Sequence, residues 1–274
     1  MNDGVAGMSA AERSAVKTRP ELLVICGPTA AGKTALAVTL AGEVDLVVIN
    51  ADSRQIYRGF DIGTAKPTTA ERQRAPHRCI DLAEPETRFT AYAWAAEAEE
   101  AIAGAHRDGR IPVVVGGAGF YIRALVHPVS AEAPAGTERY SAHYIVTDPG
   151  PVLREWIAER AARMLDSGWA EEVASLAMHV PHDAPAWQAS GYAAIREYVA
   201  GTLSRDAALA RVAIATRQYA KRQRTWFRHQ LPAHRTTRLD PDGASGVRAA
   251  AAWLRDHSGD YKPRTTRSRE RVPA

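Results

Sequence analysis

ELLVICGPTAAGKTALAVTL, residues 21–40, decides the fold. Its first six residues form a short apolar run that stops at Gly27, as a strand buried on both faces does. Residues 27–34 then carry the spacing G-x-x-x-x-G-K-T, and a helical pattern opens at Lys33. A strand, this loop and a helix in that order are the context in which the spacing forms a phosphate-binding loop. The backbone N–H groups of such a loop, together with the helix N-terminus, attract anionic oxygens. Lys33 is placed to reach a terminal phosphate, and the Thr34 hydroxyl to ligate Mg²⁺. The expected diphosphate-binding residues are therefore Gly27, Pro28, Thr29, Ala30, Ala31, Gly32, Lys33 and Thr34. The loop spacing is common to nucleotide- and ATP-binding proteins. By itself it leaves open whether the phosphate is a fuel, a transferred group or a leaving group.

The same rhythm continues outward. DLVVINADS (45–53) is a second apolar run, and RFTAYAWAAEAEEAIAGAHRDGR (88–110) is an alanine-rich helix stopped by DGR. IPVVVGGAGFYIRALV (111–126) reads as strand, glycine-rich turn and helix. Repeated strand–loop–helix units predict an α/β fold, a phosphate-loop core with a parallel sheet flanked by helices. HPVSAEAPAG breaks the pattern and places a linker at about 127–142, and HYIVT (143–147) is a further strand. The C-terminal part is helical. Its segments are residues 148–168, opened by Asp148 and Pro149 and closed by Gly168, then 170–180, 190–201, 204–230 and 246–257. The expected organisation is a flexible leader (1–20), one domain (21–258) and a basic, disordered tail (259–274).

Composition narrows the class without choosing a partner. The 274 residues are 46% hydrophobic and 24% charged, as in an ordinary globular protein, and the net charge of +4 permits an anionic partner without requiring one. Cys26 and Cys79 match no metal spacing and build no disulfide framework; Cys26 ends an apolar run and is expected to be a buried thiol. The first twenty residues lack a signal-peptide core, and no run of about 18 apolar residues exists. A cytoplasmic protein without a membrane partner is expected.

The most specific words lie at the end of the second strand, in NADSRQIYRGFDIGTAKPT (50–68). Asp52 sits where that strand ends, at the edge where open α/β sheets bind ligands. It serves there either as a turn cap or as a group facing the phosphate site.

With these words the chain resembles the tRNA dimethylallyltransferase family. The matching segments are GPTAAGKTALA, DSRQIYRGFDIGTAKPT, APHRCIDLAEP, GRIPVVVGGAGFYIRAL, ERAARMLDSGWAEEVASL, QASGYAAI and ATRQYAKRQRTWF, in family order, over most of residues 22–228. The resemblance implies that the loop holds the diphosphate of dimethylallyl diphosphate, the leaving group, with Mg²⁺ as cofactor. It implies transfer of the prenyl carbon to the exocyclic amine of the adenine 3′ of the anticodon. Lys33, Asp52 and Arg160 take the catalytic roles: Arg160 clamps the diphosphate, and Asp52 orients the amine and accepts its proton. Ser53, Arg54, Gln55, Ala118, Gln188, Gly191, Tyr192, Arg217, Lys221, Arg222, Arg224 and Arg228 join Asp52 on the tRNA side, with a core aromatic as the equal alternative for Tyr192. The partners implied are a tRNA anticodon stem-loop and dimethylallyl diphosphate, and a monomer is expected.

The basic segment has its own pattern. Arg217, Lys221, Arg224 and Arg228 recur in steps of four, three and four, on one helix face, with Tyr219, Trp226 and Phe227 away from it. That is either a solvated charged face or a cationic ridge for RNA.

Three departures from the family all fall on the tRNA side. GGAG puts Ala118 where the family has a threonine. Ala193 follows Gly191–Tyr192 where a basic residue is usual. Residues 127–142 are too short for the family's helical insertion, so the inserted helical domain is missing. Three other readings are compatible with the sequence to different degrees: an adenylate isopentenyltransferase acting on AMP, ADP or ATP, a catalytically impaired RNA-binding remnant, and a small-molecule phosphate-loop kinase, which DSRQIYRGFDIGTAKP disfavours.

Overall fold

The computed structural model describes residues 19–127, 137–239 and 244–257. The expected tail, most of the leader and the centre of the linker lie outside the described residues. Six strands form one sheet: β1 (Glu21–Cys26), β2 (Leu46–Ala51), β3 (His77–Arg78), β4 (Ile111–Gly116), β5 (Ser141–Thr147) and β6 (Thr236–Leu239). Their order is β3-β2-β4-β1-β5-β6, and every pairing is parallel.

The helices are α1 (Lys33–Leu40), α2 (Thr69–Arg74), α3 (Ala91–Arg107), α4 (Gly119–Val126), α5 (Leu153–Met164), α6 (Ala170–Ala177), α7 (Tyr192–Val199), α8 (Arg205–Gln230) and α9 (Ala244–His257). The alternation within β1 shows how both faces of the sheet are covered. Leu23 and Ile25 pack with α1 and α9, whereas Leu22, Val24 and Cys26 pack with α3, α4 and the C-terminal helices. Parallel strands buried on both faces read as unbroken apolar runs for this reason. Cys26 is buried as expected, and burial pushes its thiol up to about 12.

The two edge strands were not legible. β3 has two residues and β6 is Thr-Thr-Arg-Leu, with no apolar run, because an edge strand meets one neighbour and some solvent. A further missed element, α2, opens with a capping box in which Thr68 and Glu71 exchange hydrogen bonds. Gly168 does close the first C-terminal helix, with φ 100°, inside a π-helical turn (Leu165–Trp169) that leads into α6. Among the described residues no helix lies between α4 and β5, and no helix is long and apolar enough to cross a membrane.

Two features of this frame place the site. β1 is flanked by β4 on one side and β5 on the other, so chain connections leave in opposite directions at its C-terminal end and open a crevice there. The C-terminal helices close over that crevice. Leu153 and Ile157 of α5 pack with Ala213 and Ala220 of α8, and Ala30 of the phosphate loop rests against them.

Candidate active site

The phosphate loop follows β1 directly. Gly27 has φ 143°, and a Cβ there would stand 2.1 Å from the Thr147 carbonyl oxygen at the end of β5, so only glycine fits. Ala30 and Gly32 are left-handed, at φ 64° and 77°. Residues 29–34 line an open cleft of about 1280 Å³ whose other walls come from residues 61–73 and α5. Among the described residues, the N–H groups of residues 30–34 have no protein partner.

Three members of the expected diphosphate set are used otherwise. Gly27 and Pro28 do not line the cleft; their carbonyls accept hydrogen bonds from Lys33 Nζ at 3.1 and 2.7 Å. The Thr29 N–H donates to Gln223 Oε1 at 2.8 Å, so Thr29 can offer an anion its hydroxyl but not its amide. The loop's first peptides anchor it to the protein, and the N–H groups of residues 30–34 are left without protein acceptors among the described residues.

Asp52 follows the last residue of β2, as its position in the sequence implies. Its Oδ1 accepts the N–H groups of Arg54 (2.8 Å) and Gln55 (3.4 Å), and Oδ2 accepts no protein hydrogen bond among the described residues. Cap and site-facing group are therefore the same residue. Thr29, Ala30, Asp52, Thr64, Arg160 and Met164 line both the large cleft and a second cavity of about 70 Å³, which reaches Trp169, Thr216 and Tyr219. Asp52 and Arg160 are the charged residues where the two spaces meet.

The charges at this junction act on one another. Burial lowers Lys33 from 10.5 to about 8, against the pull of Asp52, which raises it; Arg160 lowers it further, and Cys26 raises it slightly. Burial also lowers Arg160, while Asp52 raises it. Two cations and one carboxylate around the mouth of the cavity leave a net positive site for an anion.

The expected tRNA-side residues divide sharply. Lys221, Arg222 and Arg228 are exposed on α8, with Arg222 over the Tyr219 ring at 5.8 Å, and Gln188 is exposed on a short turn. Arg217 and Ala118 are half-buried, and the Ala118 N–H donates to the Ala51 carbonyl beside Asp52. Ser53 pairs with Tyr219, and Arg54 reaches the Pro185 carbonyl.

Four of these residues are engaged with the protein itself. Gln55 is buried, and its amide donates to the carbonyls of Thr64 and Ala65, holding the residue 61–68 loop. Tyr192 is a core aromatic packed on Phe60 and Trp169, with its hydroxyl on Glu172 at 2.7 Å. Gly191 has φ 96° and packs against Trp169, whose ring a Cβ would meet at 2.5 Å. Arg224 is bound to Asp148 through Nε and Nη2 and to the Gly150 carbonyl through Nη2, which ties α8 to the end of β5. Of the cationic face expected on α8, Arg224 is thus paired within the protein, whereas Lys221 and Arg228 are exposed, Arg217 is half-buried and Arg222 lies beside them.

Several residues that build the site are not among the expected site residues, although each lies in a matched segment. The Glu172 carboxylate receives the N–H groups of Asp61 (2.8 Å), Ile62 (2.6 Å) and Gly63 (3.2 Å) and so fixes one wall of the cleft. Buried Lys66 pairs with Asp61 and Asp81 and donates to the Tyr57 carbonyl. Gln223 lies on the buried face of α8 with Ala220 and Phe227, so helical spacing does mark it.

Fold and site together define a class, a phosphate-loop α/β protein whose anion cleft opens into a second cavity beneath a basic helix. The chain matches the family model described as IPP transferase over residues 55–142 and 128–230, and the isopentenyl transferase model over 20–81. It is 34% identical to a tRNA dimethylallyltransferase from a Cyanothece strain, covering 78% of this chain and 91% of that one. It is 39% identical to a tRNA dimethylallyltransferase from Rhodospirillum centenum, covering 82% and 92%. The structure is similar to that of the tRNA delta(2)-isopentenylpyrophosphate transferase from Staphylococcus epidermidis, with TM-score 0.76 and 26% identity over 87% of this chain and 99% of that one. A eukaryotic dimethylallyltransferase acting on tRNA shares the fold, with TM-score 0.76 at 20% identity, covering 90% and 82%. The chain belongs to the tRNA dimethylallyltransferase family. Its alignment with the Cyanothece relative runs over 272 positions but uses only 78% of this 274-residue chain, so that relative has segments without a counterpart here.

Proposed function

We propose that this protein transfers a dimethylallyl group from dimethylallyl diphosphate to the exocyclic amine of the adenine 3′ of the anticodon in tRNA, releasing diphosphate. The observation that carries this reading is the meeting of the two cavities at Asp52, Arg160 and Thr29. One side offers free N–H groups and cations to a diphosphate. The other, under α8, offers a small space beside a carboxylate.

The chemistry follows from that layout. As the allylic C–O bond breaks, its electron pair leaves with the diphosphate, and the loop N–H groups, Lys33 and Arg160 stabilise the growing charge. The adenine amine forms the new C–N bond. Its proton becomes strongly acidic once the bond has formed, so a weak base suffices, and it passes to Asp52. Asp52 acts as much by orientation as by proton transfer.

Mg²⁺ fits as a partner of the substrate. Thr34 lines the cleft with its hydroxyl unbonded to protein, no cluster of three metal-ligating side chains exists among the described residues, and Mg²⁺ commonly pairs few protein ligands with phosphate oxygens and water. Held by Thr34 and the diphosphate, it would offset leaving-group charge.

The test offers labelled dimethylallyl diphosphate to the protein with tRNA, or with AMP, ADP or ATP. Label is expected in tRNA alone, without ATP hydrolysis. Label in a free nucleotide would replace this reading with an adenylate isopentenyltransferase, and tRNA binding without label would replace it with an inactive RNA-binding protein.

The basic helix adds a prediction that separates its cations. Arg217→Ala with Lys221→Ala should leave thermal stability unchanged, weaken tRNA binding and lower its salt slope by about 0.7–0.9 for each phosphate no longer neutralised. Arg224→Ala instead breaks the partly exposed Asp148 clamp, at a cost of about 1–2 kcal/mol and a fall in Tm of a few degrees. Equal Tm in both variants would return Arg224 to the RNA-facing set.

A further inference from the structure

Gln223 is only 5% exposed, and its amide joins two loops from opposite sides of the reaction. Its Oε1 accepts the Thr29 N–H of the phosphate loop at 2.8 Å, and its Nε2 donates to the Gly117 carbonyl at 3.0 Å. Because Thr29 offers a donor and Gly117 an acceptor, the amide has one orientation. Thr29 begins the segment that faces the diphosphate. Gly117 precedes Ala118, whose N–H holds the Ala51 carbonyl next to Asp52. The turn after β4 is shaped around the same amide, since a Cβ on Gly117 would stand 2.2 Å from Gln223 Nε2.

Resting on the proposed prenyl transfer, the geometry points to Gln223 as a positioning residue that sets the distance between the diphosphate loop and the Asp52 edge where the amine enters. It touches neither substrate. It fixes two peptides that carry the leaving group on one side and the acceptor on the other, and it does so from α8, the helix that bears the RNA-facing cations. Two bound substrates held about 1 Å out of line lose about 100-fold in rate without losing affinity. A side chain that merely filled the core would, when truncated, lower stability and loosen both substrates together.

The experiment compares wild type, Gln223→Met, Gly117→Ala and Gly117→Ala/Gln223→Ala. Methionine keeps the length and removes both hydrogen bonds, and the alanine at 117 pushes on the same amide from the other side. Single-turnover transfer to tRNA is measured beside Kd for dimethylallyl diphosphate and for tRNA. For Gln223→Met and Gly117→Ala the expected result is a rate lower by about 100-fold, with both Kd values within about threefold of wild type. The double variant, in which the new methyl meets no amide, should be no slower than Gly117→Ala alone. Wild-type rates in Gln223→Met would overturn the positioning role, as would a rate loss matched by an equal loss of diphosphate affinity. A wild-type protein that labels no acceptor would overturn the reaction itself, and that control separates the two failures.

Discussion

Asp52→Asn should lower single-turnover prenyl transfer by about 10²–10⁴-fold, the range for removal of a positioned base, while Tm and diphosphate binding stay near wild type. Asparagine is the informative replacement because Asp52 has two tasks. Its Oδ1 caps the turn after β2 by accepting the N–H groups of Arg54 and Gln55, and an asparagine oxygen can do the same. Alanine would remove the cap as well, at a cost of about 1 kcal/mol, and would mix a local rearrangement with the chemical loss. Charge matters too. Asp52 raises the pKa of Lys33, so its neutralisation lets Lys33 lose its proton at a lower pH than the wild type's value of about 8. Rates are therefore best compared at pH 7 or below, where Lys33 is closer to fully charged in both proteins. A single-turnover rate for Asp52→Asn near that of wild type would remove Asp52 from the chemistry and leave it a turn cap.

How far the sequence reveals this site depends on how local each interaction is. Strand, loop and helix over residues 21–40 follow from apolar runs and glycine spacing, and the position of Asp52 follows from where an apolar run ends. The two-residue strand and the polar edge strand carry no such signal. The α8 stripe shows the limit most clearly. Steps of three and four residues put Arg217, Lys221, Arg224 and Arg228 on one face, but periodicity cannot show what stands opposite each one. Arg224 meets Asp148, 76 positions away in the chain, and is turned inward by an ion pair that no local pattern encodes. Tyr192 and Gly191 show the same limit. They lie in a segment matched to RNA contact, yet Trp169, Phe60 and Glu172 pack around them. Gln223 is the instructive case, because its spacing from Ala220 and Phe227 marks it as inward, while the two loops it joins come from distant strands.

Lys33→Ala should weaken dimethylallyl diphosphate binding and lower the rate of transfer by on the order of 10²–10³-fold, the loss typical of one electrostatic partner of a developing anion. The pH dependence makes the assignment specific. In the free protein Lys33 has a pKa of about 8, below its ordinary 10.5, chiefly because burial penalises the charge. A bound diphosphate restores a counter-charge and raises that value, so binding takes up a proton near and above pH 8. Affinity should accordingly change little between about pH 7, above the phosphate's own last ionisation at about pH 6, and pH 8, and fall as pH rises from 8 towards the pKa of the complex. The stability of the free protein should move the other way. Burying a charged Lys33 costs stability below pH 8, and that cost is relieved as pH rises from 8 to 10.5, since the folded-state pKa lies below the unfolded one. Between these limits the free protein gains a stabilising contribution while its ligand is held less tightly, so the rise in Tm produced by dimethylallyl diphosphate should shrink from about pH 7 to about pH 9.5. In Lys33→Ala that shrinkage should be absent, because the remaining loop N–H groups do not titrate. An equal pH dependence in the variant would mean that another group takes up the proton and that the lysine does not meet the diphosphate.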